Sequence, residues 1–186
     1  DMMLTADEVD LSLVRNAKIF HFGSLSMTDK ICENATKHAI AAAKEAGVLI
    51  SFDPNLRKPL WKSMDDAKEK ISWGLSQCDS LKISDEYHIP FICATMGKNG
   101  SMAFFDGHIV EAAPFLRDDT VETTGAGDTF CACLLHDVLE HGINDRKDDD
   151  VKKMLTFANA AASLITTRKG ALRVMPEKGE VEAVIK

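Results

Sequence analysis

The sequence lacks the features that mark several large classes of protein. No apolar run approaches the roughly 20 residues that a membrane-spanning helix needs. The first residues have neither the basic flank nor the apolar stretch of a signal peptide. Asp and Glu outnumber Lys and Arg by 29 to 22, so no basic surface for nucleic acid is expected. These absences favour a cytoplasmic protein that binds neither membranes nor nucleic acid.

Cysteine is present, but without the spacing of a functional site. Five cysteines occur, none of them in a C-x-x-C pair, and the six histidines are scattered along the chain. A zinc site or a thioredoxin-like redox motif would need closer and more regular spacing. We therefore interpret the cysteines as small buried residues in a reducing compartment.

The first half of the chain alternates short apolar runs with helical patterns. Strands are predicted at 19–23, 48–52 and 80–84, and helices at about 28–46 and 64–77. Short strands that are apolar nearly throughout are typical of a parallel sheet covered on both faces. The fold class is therefore predicted to be α/β with a mostly parallel sheet.

This pattern breaks after residue 84. Only Asp85-Glu86-Tyr87-His88 separates the third strand from an apolar run at about 89–95. Neighbouring parallel strands need roughly a dozen connecting residues, so we expect a segment to be missing from this chain near 85–87. A tight hairpin is the alternative. With that gap, residues 1–186 are interpreted as a single α/β domain.

The pattern is regular again in the second half. Asp106-Gly107 is a strong two-residue hairpin signal between two apolar runs. Three helices follow in the prediction, at about 128–141, at about 150–167 and in the residues after Pro176.

The loop before the first of these helices carries the clearest chemical signal. Thr123-Thr124-Gly125-Ala126-Gly127-Asp128-Thr129 places two glycines just ahead of a helix, where unpaired amides and the helix dipole favour a phosphate. A carboxylate at Asp128 would repel a phosphate that was only bound. The Asp128 carboxylate is better explained as a base that takes a proton from a hydroxyl attacking that phosphate.

The loop does not match two other nucleotide-binding motifs. The chain has no G-x-x-x-x-G-K-[ST] string, which excludes a P-loop. A dinucleotide fingerprint needs a third glycine, where this loop has Phe130. A glycine-rich turn with Asp128 as an ordinary first-turn charge remains the alternative from the loop alone.

Four ordered stretches resemble one known family, the ribokinase-like (PfkB) carbohydrate kinases. The loop with Glu122 before it is similar to the second signature of that family, and Phe52-Asp53-Pro54-Asn55-Leu56-Arg57 is similar to its fructokinase branch. The other two stretches are Thr95-Met96-Gly97-Lys98-Asn99-Gly100-Ser101, and Asn159-Ala160-Ala161-Ala162-Ser163 followed by Thr167-Arg168-Lys169-Gly170-Ala171. The resemblance implies a three-layer sandwich with helices on both faces of the sheet. The family's N-terminal part and its small β lid are absent from this chain.

The resemblance implies transfer of the γ-phosphoryl group of ATP to a sugar hydroxyl. Asp128 would be the catalytic base, and the amides of Gly125, Ala126 and Gly127 would hold developing charge on the phosphoryl group. Arg57 would add a fixed positive charge near the phosphates. The alternative for Arg57 is a surface salt bridge.

The resemblance also assigns residues to the nucleotide. Thr95, Gly97 and Gly100 would approach it, since glycine lets backbone and ligand come close. Asn159 would face the adenine, or else be a polar residue on the solvent side of its helix. Asn55 would hold the loop that carries Arg57.

Two cation sites follow from the same resemblance. Lys82 lies on the nucleotide side, and the Asn and Glu that help to place Mg²⁺ should follow it closely. Ser84 stands at the first of these positions and Glu86 is the candidate for the second. A monovalent cation, K⁺, would lie beside Glu122, Thr124 and backbone carbonyls near Arg168 and Gly170. The family usually has Asp where Glu122 stands.

The sequence is therefore interpreted as the C-terminal part of a cytoplasmic ATP-dependent sugar kinase, with fructose favoured as the acceptor. One alternative is a related kinase for ketodeoxygluconate, ribose or a nucleoside. Another is a non-catalytic nucleotide-binding relative. Dimerisation through the lid is common in the family, so a homodimer in the intact protein is expected.

Overall fold

The chain forms two compact units, Asp1–Ile92 and Cys93–Lys186. A computed structural model describes residues 2–81 and 91–186. The expected discontinuity near 85–87 lies outside the described residues, as do Lys82, Ser84 and Glu86. No helix within the described ranges is long and apolar enough to cross a membrane.

The first unit is a parallel sheet with its connecting helices. Strands β1 to β3, helices α1 to α3 and the first two residues of β4 belong to it: α1 (Leu11–Asn16), β1 (Ile19–Gly23), α2 (Lys30–Glu45), β2 (Leu49–Asp53), α3 (Met64–Leu75), β3 (Ser80–Leu81) and β4 (Phe91–Thr95). Each strand pairs in parallel with the next, with Phe22 opposite Phe52 and Leu81 opposite Ile92. The α/β prediction is confirmed. The parallel pairing of β3 with β4 contradicts the alternative of a tight hairpin, which would pair them antiparallel.

Local signals in the sequence explain where these helices begin. Asp29 accepts a hydrogen bond from Ile31 N at 2.8 Å, and Ser63 accepts one from Asp66 N at 3.0 Å. Each side chain satisfies an amide that would otherwise lack a partner in the first turn. The apolar faces then pack on β1 and β2, where the rings of Phe22 and Phe52 stack at 4.5 Å.

A buried ion-pair network joins α2 to α3. Glu33 is only 7% exposed, and its Oε1 lies 2.5 Å from Lys37 Nζ and 2.6 Å from Lys70 Nζ. Burial raises the pKa of Glu33, but the hydrogen bonds from the two lysines outweigh it, so the pKa lies below its usual range. The Lys37 ammonium also lies 4.9 Å from the centroid of the Trp73 ring.

The second unit combines an antiparallel hairpin with three helices. It contains the end of β4 and β5 (Ser101–Phe105), β6 (His108–Ala112), α4 (Ala126–His141), α5 (Asp148–Ile165) and α6 (Lys178–Ile185). The predicted turn joins β5 to β6, with φ of +46° at Asp106 and +78° at Gly107. Helix α5 packs against α4, α6 and the hairpin. Helix α4 begins two residues earlier than predicted.

Candidate active site

A cavity of about 430 Å³ lies within the second unit. Its walls are the turn after β4, the segment that leaves β6, the start of α4 and one face of α5. Six residues singled out from the sequence line it: Thr95, Gly97, Gly100, Ala126, Gly127 and Asn159. Residues that lie up to 64 positions apart in the sequence therefore contribute to one cavity. This volume is within the range of small-molecule sites.

The start of α4 presents free amides at this cavity. Gly125 has φ of +79°, and a Cβ there would lie 3.3 Å from Ile165 Cδ1, so the position needs glycine. Thr129 N–H donates to Gly125 O at 2.8 Å, which is the first bond of the helix. Within the described chain, the N–H groups of Gly127 and Asp128 have no acceptor. An open helix start of this kind attracts an anion.

One of the three amides expected to hold charge is already engaged. Ala126 N–H donates to Thr123 O at 3.2 Å and closes the turn into α4. The helix starts earlier than predicted, and its first amide is therefore part of the turn. Among the described residues, the free N–H donors at this turn therefore include that of Asp128, as well as that of Gly127.

The Asp128 side chain is exposed and makes no hydrogen bond or ion pair with any described residue. It stands in the first turn of α4 and follows Gly127, which lines the cavity. Because no partner holds the carboxylate, it is available to accept a proton from a bound hydroxyl.

Gly100 is required by chain packing. A Cβ at this position would lie 2.1 Å from Ala112 O and 3.0 Å from Pro114 N, and φ is +90°. The sequence interpretation attributed this glycine to close approach of the nucleotide. The structure supplies a different reason, which is the backbone leaving β6. At Gly97, by contrast, a Cβ would meet nothing within 4 Å, so space beside that residue is open to a ligand.

Asn159 forms hydrogen bonds to the same backbone segment, the one that leaves β6. Its side chain is buried, and Nδ2 donates to Ala112 O at 3.2 Å and to Ala113 O at 3.0 Å. The alternative that Asn159 faces solvent is therefore wrong. Its amide holds the segment after β6 against α5, and that segment forms a wall of the cavity.

Glu122, one of the residues expected to hold a monovalent cation, lies beside the end of α5. Gly170 N–H donates to Glu122 Oε1 at 2.6 Å, and Glu122 N–H donates to Thr166 O at 3.1 Å. Glu122 is therefore beside Gly170, and one of its carboxylate oxygens already accepts from that amide. Glu122 and the exposed Thr124 do not line the cavity. A carboxylate and nearby carbonyls are oxygen donors of the type that K⁺ accepts.

No group of three or more His, Cys, Asp or Glu residues is placed to hold a metal ion in the described ranges, 2–81 and 91–186.

Arg57 and Asn55 belong to the first unit and follow β2. Asn55 N–H donates to Asp53 Oδ1 at 3.0 Å, and Asn55 Oδ1 accepts from Arg57 Nε at 3.1 Å. Asn55 therefore orients the Arg57 side chain. Arg57 is exposed and forms no ion pair with a described residue. Its presence is therefore not explained by a surface salt bridge to that part of the chain.

Sequence reasoning missed part of the cavity wall. Phe115, Leu116 and Arg117 line it after β6, and Lys98 lines it between two of the expected glycines. Lys98 could have been found, because it lies inside a stretch already singled out. The segment after β6 has no local sequence pattern of this kind. Its position depends on long-range contacts such as the hydrogen bonds from Asn159.

A model of the pfkB family carbohydrate kinases matches residues 1–89 and 86–178. The chain is 34% identical over 207 aligned positions to the probable fructokinase-2 of Arabidopsis thaliana and 36% identical over 206 to fructokinase-2 of Zea mays. These matches cover the whole chain but only 63% and 61% of those relatives, so the chain spans less than two thirds of their length.

Solved structures show the same fold. The fructokinase with bound ATP from Xylella fastidiosa superimposes with a TM-score of 0.88 at 23% identity, over all of this chain and 66% of that one. A fructokinase double mutant from Vibrio cholerae, in a form with fructose, ADP and potassium ion bound, gives 0.83 at 22% identity, over all of this chain and 65% of that one. The fold is thus ribokinase-like, and the chain belongs to the pfkB family of carbohydrate kinases.

Proposed function

We propose that the intact protein transfers the γ-phosphoryl group of ATP to a hydroxyl of D-fructose. The family and the fructokinase relatives support a sugar kinase. The observation that carries the proposal is the start of α4, where Gly127 lines a cavity of suitable volume. Among the described residues, the N–H groups of Gly127 and Asp128 and the Asp128 carboxylate have no partner.

The nucleotide would occupy the cavity of the second unit, with its phosphates toward the start of α4. The amides of Gly127 and Asp128 would donate to the oxygens of the transferring phosphoryl group. Asp128 would accept the proton of the sugar hydroxyl as that oxygen bonds to the γ-phosphorus. The bond to the β–γ bridging oxygen breaks, and ADP leaves. Most of the acceleration in such a reaction comes from positioning and charge stabilisation.

Charged side chains would assist this step. Arg57, oriented by Asn55, is an available cation for the phosphates, and Lys98 is another at the cavity itself. Thr95 and Gly97 would lie beside the nucleotide. Gly100 and Asn159 would act through the backbone of the wall. Lys82 would belong to the same group, and it lies outside the described residues.

The proposed reaction includes two cations, K⁺ and Mg²⁺. K⁺ would be held by Glu122, Thr124 and carbonyls near Gly170, where it would add positive charge next to the anion site. Mg²⁺ would accompany ATP, and the positions expected to place it fall outside the described residues. When bound, these ions neutralise charge on the phosphates.

Further residues near 85–87 are part of the proposed intact protein. The Arabidopsis alignment has 207 positions against 186 residues here, and the two family matches meet at 86–89. The connection from β3 to β4 is also shorter than parallel neighbours normally need. The intact mass of the natural protein tests this directly, because a mass of 20.4 kDa would contradict it.

The function is tested with the intact protein and MgATP. ADP release is measured with fructose, ribose, ketodeoxygluconate and a nucleoside, each against a control without sugar. The proposal expects the highest kcat/KM for fructose. A higher value for another acceptor would reassign the substrate. ATP binding without any acceptor-dependent ADP release would identify a non-catalytic relative. A cytoplasmic location and a homodimer remain proposals, tested by fractionation and by mass in solution.

A further inference from the structure

The connection between α5 and α6, residues 166–177, contacts the segment that carries the proposed anion site. Gly170 N–H donates to Glu122 Oε1 at 2.6 Å. A Cβ built at Gly125 would lie 3.5 Å from Ala171 Cβ and 3.6 Å from Ala171 Cα, so Ala171 packs directly against the turn into α4. The position of this connection therefore affects both Glu122 and the start of α4.

Few buried contacts hold the connection in place. Every residue from 166 to 177 is exposed or half-buried, and Leu172 is 82% exposed. A short 3₁₀ turn, Leu172–Val174, closes with Val174 N–H donating to Ala171 O at 3.0 Å. A segment with little apolar burial opens easily. Its position therefore depends strongly on polar contacts.

Arg168 joins the connection to α6 through its side chain. Its Nη1 donates to Val174 O at 3.2 Å, and its Nη2 donates to Glu180 Oε1 at 2.5 Å in the first turn of α6. Glu180 is itself held, because its Oε2 accepts the Glu177 N–H at 2.8 Å. The guanidinium group carries several donors in one plane, so a single side chain can bond a carbonyl and a carboxylate together. The hydrogen bond from Arg168 also holds the pKa of the Glu180 carboxyl below its usual range.

These contacts add little to global stability. The side chains of Arg168 and Glu180 are 30% and 45% exposed, and water screens an ion pair of that kind. Without the pair, α5 and α6 still pack through a shared apolar cluster: Ala160, Ala161, Leu164 and Val181. Loss of the guanidinium group should therefore loosen the connection and leave the fold intact.

We propose that Arg168 is a positioning residue for the proposed phosphoryl transfer. By tying the connection to α6, its side chain keeps Gly170 beside Glu122. It also keeps Ala171 against Gly125. These two contacts set the carboxylate expected to hold K⁺ and the turn whose free amides would hold the phosphoryl group. The link to catalysis rests on the proposed function, and the structural link from Arg168 to the Gly170 amide does not.

Hydrogen exchange of the Gly170 amide, followed by NMR in the intact protein without nucleotide, tests the structural link. Arg168→Met keeps a long unbranched side chain and removes all its donors, so exchange should become at least about fivefold faster. Arg15→Met is the matched control, because Arg15 forms an exposed pair with Glu45 at 3.8 Å in the first unit. It should change the exchange rate less than about twofold. Wild-type exchange of the Gly170 amide in Arg168→Met would overturn the proposal.

A second variant decides the question if Arg168→Met does not fold. Glu180→Gln removes the charge that faces Arg168 and keeps an oxygen for the Glu177 amide. Exchange of the Gly170 amide should become at least about twofold faster, with the thermal midpoint close to that of the wild type. An exchange rate equal to that of the wild type in this variant would equally overturn the proposal.

The link to catalysis is tested by sugar-dependent ADP release at increasing KCl, with choline chloride keeping the ionic strength constant. Arg168→Met should raise the K⁺ concentration for half-maximal rate at least about threefold, a change that a solvated ion pair can supply. A general loss of stability would lower kcat without moving that concentration. An unchanged K⁺ dependence, or a wild-type rate that does not respond to K⁺, would overturn this link. If the wild type releases no ADP with any sugar, the proposed function fails, while Gly170 exchange still decides the structural link.

Discussion

The hydrogen bonds between Asn159 and the end of β6 should determine how well the cavity proposed for the nucleotide is formed. Asn159→Ala removes the donor of two hydrogen bonds, at 3.2 Å to Ala112 O and 3.0 Å to Ala113 O. Ala112 is 3% exposed, so its carbonyl has little access to replacement water, whereas Ala113 is exposed. Ala112 also pairs with Ser101 in the β5–β6 ladder, so its carbonyl is not left without a partner. The net loss of an ordinary hydrogen bond costs about 0.5–1.5 kcal/mol. We therefore expect the free energy of unfolding to fall by about 1 kcal/mol.

The same substitution should loosen the cavity wall that continues through residues 114–117. The affinity for ATP should fall at least threefold, and kcat should change less because Asp128 is untouched. Asn159→Asp should be worse, since it places a carboxylate against two carbonyl oxygens. Ser163→Ala is the control, because Ser163 lines the same cavity and its hydroxyl donates, among the described residues, only to Ala160 O of its own helix. Calorimetric titration and thermal unfolding measure both effects. An Asn159→Ala protein with wild-type stability and ATP affinity would refute the reasoning.

Three further outcomes are expected. The pKa of Glu33 is lowered in the folded protein, so its contribution to stability is present at pH above the pKa of the unfolded chain and is lost as the pH falls through the pKa of the folded state. Urea unfolding at pH 7 and pH 3 should therefore show a smaller decrease in the free energy of unfolding for Glu33→Gln than for the wild type. Gly125→Ala forces a side chain into left-handed backbone and should cost about 1–2 kcal/mol of stability together with most of the activity, and a wild-type rate would contradict the assigned turn. Burial raises the pKa of Cys133 to about 11, so iodoacetamide should label it at pH 8 far more slowly than the same thiol in urea, and equal rates in mass spectrometry would be inconsistent with that burial.

The parts of the fold that were predictable are those encoded by neighbouring residues. Helices α2 and α3 follow Asp29 and Ser63, whose side chains cap them, and the hairpin follows Asp106-Gly107. The glycine loop before α4 was found for the same reason. The conformation of this loop depends on a few consecutive residues, with φ of +79° at Gly125.

The parts that were missed depend on residues distant in the sequence. Asn159 meets carbonyls 46 and 47 residues away, and no local pattern reveals that pairing. Gly100 was singled out, yet the reason for it is the approach of Ala112 O.

The role of Asp128 is the central claim, and one comparison tests it most directly. Fructose-dependent ADP release and ATP affinity are measured for the intact wild type and for Asp128→Asn, which keeps the shape and removes the base. Loss of a general base typically costs about 10²–10⁴-fold in rate. We expect a loss in that range with ATP affinity within about twofold, because the proposed base would act on the sugar hydroxyl and not on the nucleotide. A variant that retains more than about a tenth of the wild-type rate would contradict the assignment of Asp128 as the base.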